Sequence, residues 1–130
     1  MLMVDLYNDL CERYKQEIQD YSDLPDNWDG YGTKGIKKGS ITEVILFMAK
    51  MITEFEKAGL EFIYPDIVID NGYLGLEWTT DKFKMDIDID PCSEEIPVFA
   101  WTSQENQYYK KWKRNTVDPE FLEWMREVLK

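Results

Sequence analysis

The chain has no histidine, and that absence removes a great deal of chemistry. Serine–histidine, cysteine–histidine and zinc–histidine mechanisms all need an imidazole as base or ligand. Its two cysteines, Cys11 and Cys92, fall in a helix-like and a loop-like segment without metal spacing, which predicts reduced thiols rather than a disulfide or a zinc pair. No run approaches the roughly 18 consecutive apolar residues of a membrane span. The opening Met1-Leu2-Met3-Val4-Asp5 lacks the basic and apolar regions of a signal peptide. A cytoplasmic location without membrane contact is the expectation. Asp29-Gly30-Tyr31-Gly32 has no preceding strand and no lysine–hydroxyl pair, so it is not a phosphate loop. No cofactor is expected.

Basic charge is scarce as well. Fifteen Lys and Arg stand against 26 Asp and Glu, a net charge of −11. Such a field repels phosphate backbones and anionic lipid, which disfavours direct nucleic-acid binding. Acidity alone serves solubility in many domains, so its distribution is the more telling feature. Residues 61–105 hold eleven acids against Lys82 and Lys84 alone.

What is present is enough for one domain. The 130 residues are 44% hydrophobic and 15% aromatic, sufficient for a single ordinary core and too aromatic for a disordered acidic tail. Leu2, Leu6, Leu10, Tyr14 and Ile18 recur four apart and predict an amphipathic helix over residues 2–21. Residues 23–32, rich in Pro, Gly, Asn and Asp, interrupt it as a structured loop. Ser40-Ile41-Thr42-Glu43 has the form of a capping box, and Lys57-Ala58-Gly59 that of a helix stop, so a second helix is expected from Ser40 to about Lys57.

Strand periodicity follows. Phe62-Ile63-Tyr64 and Ile67-Val68-Ile69 lead through Asn71-Gly72, a dipeptide suited to a hairpin turn, into residues 73–78. Residues 82–90 alternate strictly, with Phe83, Met85, Ile87 and Ile89 facing inward. Ile96 to Thr102 makes a fourth strand, at an edge because Pro97 cannot donate to a ladder. Residues 103–115 read as a polar segment carrying the one basic run, Lys110 to Arg114. Asp118-Pro119 then caps a last helix with Phe121, Trp124, Met125 and Val128 on its apolar face. The expected fold is α+β, a four-stranded antiparallel meander with two N-terminal helices and one C-terminal helix.

Candidate functional residues follow from this layout. Asp86, Asp88 and Asp90 occupy alternate strand positions, which puts three carboxylates on one face, where they are either an acidic surface or ligands for Mg²⁺ or Ca²⁺. Adjacent like charges repel without a cation, and a half-buried strand normally has a charged wet face, so the acidic surface is the preferred reading. Pro65-Asp66 followed by Glu77 suggests a nuclease motif, but Glu77-Trp78-Thr79 lacks the lysine that would stabilise phosphate charge. Trp28 and Tyr31 could anchor a partner, but an aromatic loop between helices more often plugs the end of a core, and that is the preferred reading of the pair. The basic run, with Tyr108, Tyr109 and Trp112, is expected to pair with the chain's own acids or rim an interface rather than bind single strands.

The string Leu24-Pro25-Asp26-Asn27-Trp28-Asp29-Gly30-Tyr31-Gly32, a helix opened by Ser40, and a hairpin ending Leu76-Glu77-Trp78 resemble a family of small uncharacterised bacterial and phage proteins. That family carries a Leu-Pro-x-x-Trp-Asp-Gly-Tyr-Gly motif, a helix and a Leu-Glu-Trp strand. The resemblance covers about residues 20–90, and the nine-residue loop is its specific part. It implies a fold and a mobile-genome setting rather than a reaction. The C-terminal helix and basic run lie outside the pattern.

The leading expectation is a non-enzymatic binding protein that uses Glu77, Asp86, Asp88 and Asp90, with Trp28 and Tyr31, to engage the basic surface of a protein partner, as an anti-CRISPR-like inhibitor would. Carboxylates two apart along a strand lie about 6.6–6.8 Å apart, close to the roughly 6–7 Å between phosphates along a nucleic-acid strand. An antitoxin or immunity protein with an aromatic interface around Trp28, Trp101 and Trp112 is the alternative, and a magnesium-dependent hydrolase at the aspartates the third.

Overall fold

The computed structural model describes residues 2–22, 24–37, 39–69 and 72–130. The predicted first helix divides at Tyr14 into α1 (Met3–Arg13) and α2 (Lys15–Tyr21). Tyr14 leaves helical geometry there, and its buried hydroxyl donates to the Pro65 carbonyl at 2.5 Å. That long-range bond, made by a residue with a core-facing ring, explains a break that periodicity alone does not foretell.

Helix α3 (Ser40–Lys57) begins and ends where expected, but its capping box does not form. Ser40 is buried and its hydroxyl has no partner among the described residues, while Glu43 reaches Arg114 instead, 2.8 Å from the guanidinium. A charge-assisted pair to a distant arginine outcompetes a local bond to the backbone. The stop is a Schellman arrangement. Gly59 takes φ +71°, its N–H reaches the Glu56 carbonyl at 3.1 Å, and the Leu60 N–H reaches Phe55 at 2.9 Å.

Among the described residues five strands follow rather than four: β1 (Asp66–Ile69), β2 (Leu74–Thr79), β3 (Lys84–Ile89), β4 (Glu95–Trp101) and β5 (Gln107–Lys113), then α4 (Pro119–Val128). They form one antiparallel sheet in the order β1-β2-β3-β4-β5. Asn71 of the expected turn lies outside the described residues; Gly72 beside it has φ +92°. β5 falls within residues 103–115, read from the sequence as a polar segment outside the four-stranded meander, and it makes β4 an interior strand, not an edge. Pro97 is nonetheless accommodated, because the β3–β4 pairing stops at Ile87↔Val98, one residue short of it.

All the helical cover lies on one face of the sheet. Ile67, Leu74, Leu76, Trp78, Met85, Ile87, Ile89, Ile96, Val98, Tyr108 and Trp112 are buried there with Val44, Met48, Met51 and Phe55 of α3. α1 packs on α3 from outside. α4 is held by Phe121, whose ring centroid lies 5.1 to 6.1 Å from those of Trp112, Tyr108 and Phe55. Asp118 caps α4 as predicted, accepting from the Glu120 N–H. It also accepts from the Tyr108 hydroxyl at 2.5 Å, and that hydroxyl accepts from the Trp112 indole at 2.7 Å. Partial burial works against the Asp118 charge, but the Tyr108, Glu120 and Lys110 donors outweigh it and hold its pKa below the usual range. The stability this network contributes is therefore present above the ordinary carboxylate pKa and lost as pH falls through the depressed one. No helix of the described residues is long and apolar enough to cross a membrane.

Candidate functional site

The sheet face away from the helices carries the side chains of interest. Period two sends Asp66, Glu77, Thr79, Lys84, Asp86 and Asp88 outward from β1–β3, and Glu95, Pro97, Phe99, Trp101, Tyr109, Lys111 and Lys113 outward from β4 and β5. The register turns these into rows. One runs Asp66↔Glu77↔Asp86↔Phe99↔Tyr109, through all five strands. Three carboxylates and two aromatic rings thus lie side by side at the interstrand spacing of about 4.7–4.9 Å.

No ion pair or side-chain hydrogen bond among the described residues involves Asp66, Glu77 or Asp86. Partial burial raises the Asp86 pKa, with no cation opposing the shift. Because the folded form holds the proton more readily, this term favours folding at low pH and is lost as pH rises through the raised pKa. Directly opposed like charges add to that cost. We therefore expect Asp86→Asn to stabilise the fold near neutral pH by a few tenths of a kcal/mol, solvent screening at this exposed position keeping the gain small, and the gain to shrink on acidification. Urea unfolding at two pH values checks this; a loss of stability at neutral pH would contradict it.

Of the six residues expected to act together, Glu77, Asp86 and Asp88 share this face. Asp88 projects over Gly75, where an added Cβ would meet its Oδ1 at 3.4 Å and the Ile87 carbonyl at 2.8 Å. Asp90 does not belong to the row. β3 ends at Ile89, and the Asp90 carboxylate turns back to accept from the Cys92 N–H at 2.9 Å, 3.9 Å from the Lys37 ammonium. The expected carboxylate ladder along one strand is thus two members long, and the longer acidic row runs across strands, at a shorter spacing than phosphates have. Among the described residues no group of three acidic or thiol side chains is placed to hold a metal ion.

Trp28 and Tyr31 lie on a separate feature. The loop after α2 is tied by Asn27 N–H to Thr33 O (2.7 Å), Gly32 N–H to Asn27 Oδ1 (2.7 Å), Gly35 N–H to Asp26 Oδ1 (2.8 Å) and Ile36 N–H to Leu24 O (2.9 Å). Asp29 accepts from the Thr33 hydroxyl and the Tyr31 N–H, which together lower its pKa. The result is a braced loop that holds its aromatics out. Tyr31 is 90% exposed and Trp28 38%, so neither ring plugs the core. Gly72 packs against Lys34 and Gly35, which sets the loop at the end of the sheet where β1 and β2 join. Trp28→Ala and Tyr31→Ala should each change stability by less than about 0.5 kcal/mol, as for surface positions in general. A loss above about 2 kcal/mol in chemical denaturation would show that the rings support the core after all.

The basic run is largely consumed internally. Lys110 lies 3.3 Å from Asp118 and 3.1 Å from Glu120, and Arg114 pairs with Glu43 and donates to the Pro91 carbonyl at 2.6 Å. Lys111 and Lys113 face outward, Lys113 opposite Glu95. A hollow of about 810 Å³ lies elsewhere, between α1 and α3, where the Arg13 guanidinium sits 3.6 Å over the Tyr64 ring. The residues that sequence reasoning did not assign to the site are Asp66, Phe99 and Tyr109. Outward alternation of Phe99 against Val98 and Ala100 was the available signal; the pairing that aligns it with Asp86 is set by register alone.

No protein-family model, curated protein or solved structure matches the chain.

Proposed function

We propose that this chain is an acidic protein-binding module whose open sheet face engages the basic, nucleic-acid-binding surface of a protein partner. In a phage or mobile-element setting, it would act as an inhibitor of a bacterial defence complex, anti-CRISPR-like. The observation that carries the reading is the row Asp66, Glu77 and Asp86, three like charges in register without a neutralising partner among the described residues. Such a row costs the fold stability, and residues kept at that expense are commonly functional. A cationic partner surface would relieve the repulsion and gain charge-assisted hydrogen bonds. Trp28 and Tyr31 on their braced loop supply aromatic anchors of the type found in interface hot spots.

A second reading, an antitoxin or immunity protein with an aromatic interface, keeps Trp28 and Trp101 of the expected residues, loses Trp112 to the core, and draws also on the outward Phe99, Tyr109 and Tyr31. The two separate in a competition assay with the partner that co-purifies from the native host. If charge is used as proposed, the chain displaces nucleic acid from that partner in a mobility-shift titration. Binding to the partner without displacement would overturn the first reading in favour of the second.

A further inference from the structure

We infer that the open face selects arginine over lysine, so that its occupant is an arginine-rich polypeptide segment. This rests on the proposed acidic-module reading and specifies its partner. The starting point is the aromatic half of the face. Phe99 lies 4.9 Å from Trp101 and 6.0 Å from Tyr109 between ring centroids, and all three alternate with the core-facing residues of their strands, which puts them on the face away from the core. Phe99 and Trp101 are half-buried and Tyr109 is 59% exposed, so together they present ring surface to solvent on a sheet otherwise lined with charge.

The register decides what fits there. Asp86 is the direct cross-strand neighbour of Phe99, and Phe99 that of Tyr109. A cation over the Phe99 ring, within the roughly 6 Å that cation–π attraction requires, is also within reach of a carboxylate one strand away. A guanidinium satisfies both at once, since it is planar, stacks on a ring and forks two N–H donors onto a carboxylate. An ammonium is compact and strongly hydrated and must give up one contact for the other. Glu77 and Asp66 continue the row, so a second and third cation of the same segment meet carboxylates in turn. Arg13 over Tyr64, at 3.6 Å, shows the same stacking within this chain.

The test is a fluorescence-anisotropy titration of the intact protein with labelled nona-arginine and nona-lysine peptides at low and moderate salt. The arginine peptide should bind at least about tenfold tighter, and Phe99→Leu with Tyr109→Leu should reduce that preference to about twofold or less while leaving lysine-peptide binding in place. Equal affinity of the wild type for the two peptides overturns the arginine inference and leaves the acidic-module reading standing. Absence of binding to either peptide at low salt overturns both. The wild-type comparison needs no variant, so the inference remains testable even if the double substitution fails to fold.

Discussion

Replacing Asp66, Glu77 and Asp86 together with lysine should abolish partner binding, by about 100-fold or more at low salt, and leave the sheet folded. All three side chains are exposed on the face opposite the helices, and none contributes a hydrogen bond or ion pair among the described residues. Folding therefore loses little when they change. Binding loses three attractions and acquires three repulsions, and like-charge juxtaposition at an interface costs several kcal/mol. Circular dichroism establishes that the variant is folded, and titration calorimetry with the co-purified partner reads the affinity. Retained affinity would mean that another surface makes the contact.

Phe121→Ala is expected to be the most damaging single core change, costing about 3–5 kcal/mol. Phe121 is fully buried, and its ring sits among Phe55 of α3 and Tyr108 and Trp112 of β5. It therefore links the last helix to both the central helix and the edge strand. Removing it leaves a cavity where β5 meets α3 and α4, with the Phe47–Trp112 and Tyr108–Trp124 ring contacts left to hold the strand from the inner face. Since β5 supplies Tyr109, Lys111 and Lys113 to the open face, the variant should also show faster amide exchange along β5 than along β2 and β3. A cost below about 1 kcal/mol by urea unfolding would place the anchorage of α4 elsewhere.

How far the sequence anticipates this architecture varies by element, for physical reasons. The β2–β3 pair is legible because its inward positions are apolar and its outward ones charged without exception from Lys84 to Ile89. The end of α3 is legible because a left-handed backbone at Gly59 has few alternatives. β5 is not, because lysine occupies an inward position between Tyr108 and Trp112. At a sheet edge that ammonium escapes sideways to Asp118 and Glu120, a solution visible only once α4 is in place. Lysines on an edge strand also discourage pairing with a further chain. The missing capping box has a similar origin, since Glu43 finds Arg114 some seventy positions away rather than its own helix end. Within the site, the acidic character of the face is written in the alternation of β3. The row itself is not, because which carboxylate faces which ring depends on the registers of four separate pairings. Asp90 lies one residue past the end of the strand and its side chain closes a turn, which takes it out of the cross-strand row while leaving it beside Asp88 around one surface hollow.

The salt dependence of partner affinity tests most directly whether charge on the open sheet face drives recognition. Titrations between about 50 and 300 mM salt should show affinity falling steeply, and the fall should flatten when Asp66, Glu77 and Asp86 are replaced by their neutral amides. An affinity unchanged across that range in the wild type would contradict the account, since exposed charges at these distances cannot escape screening.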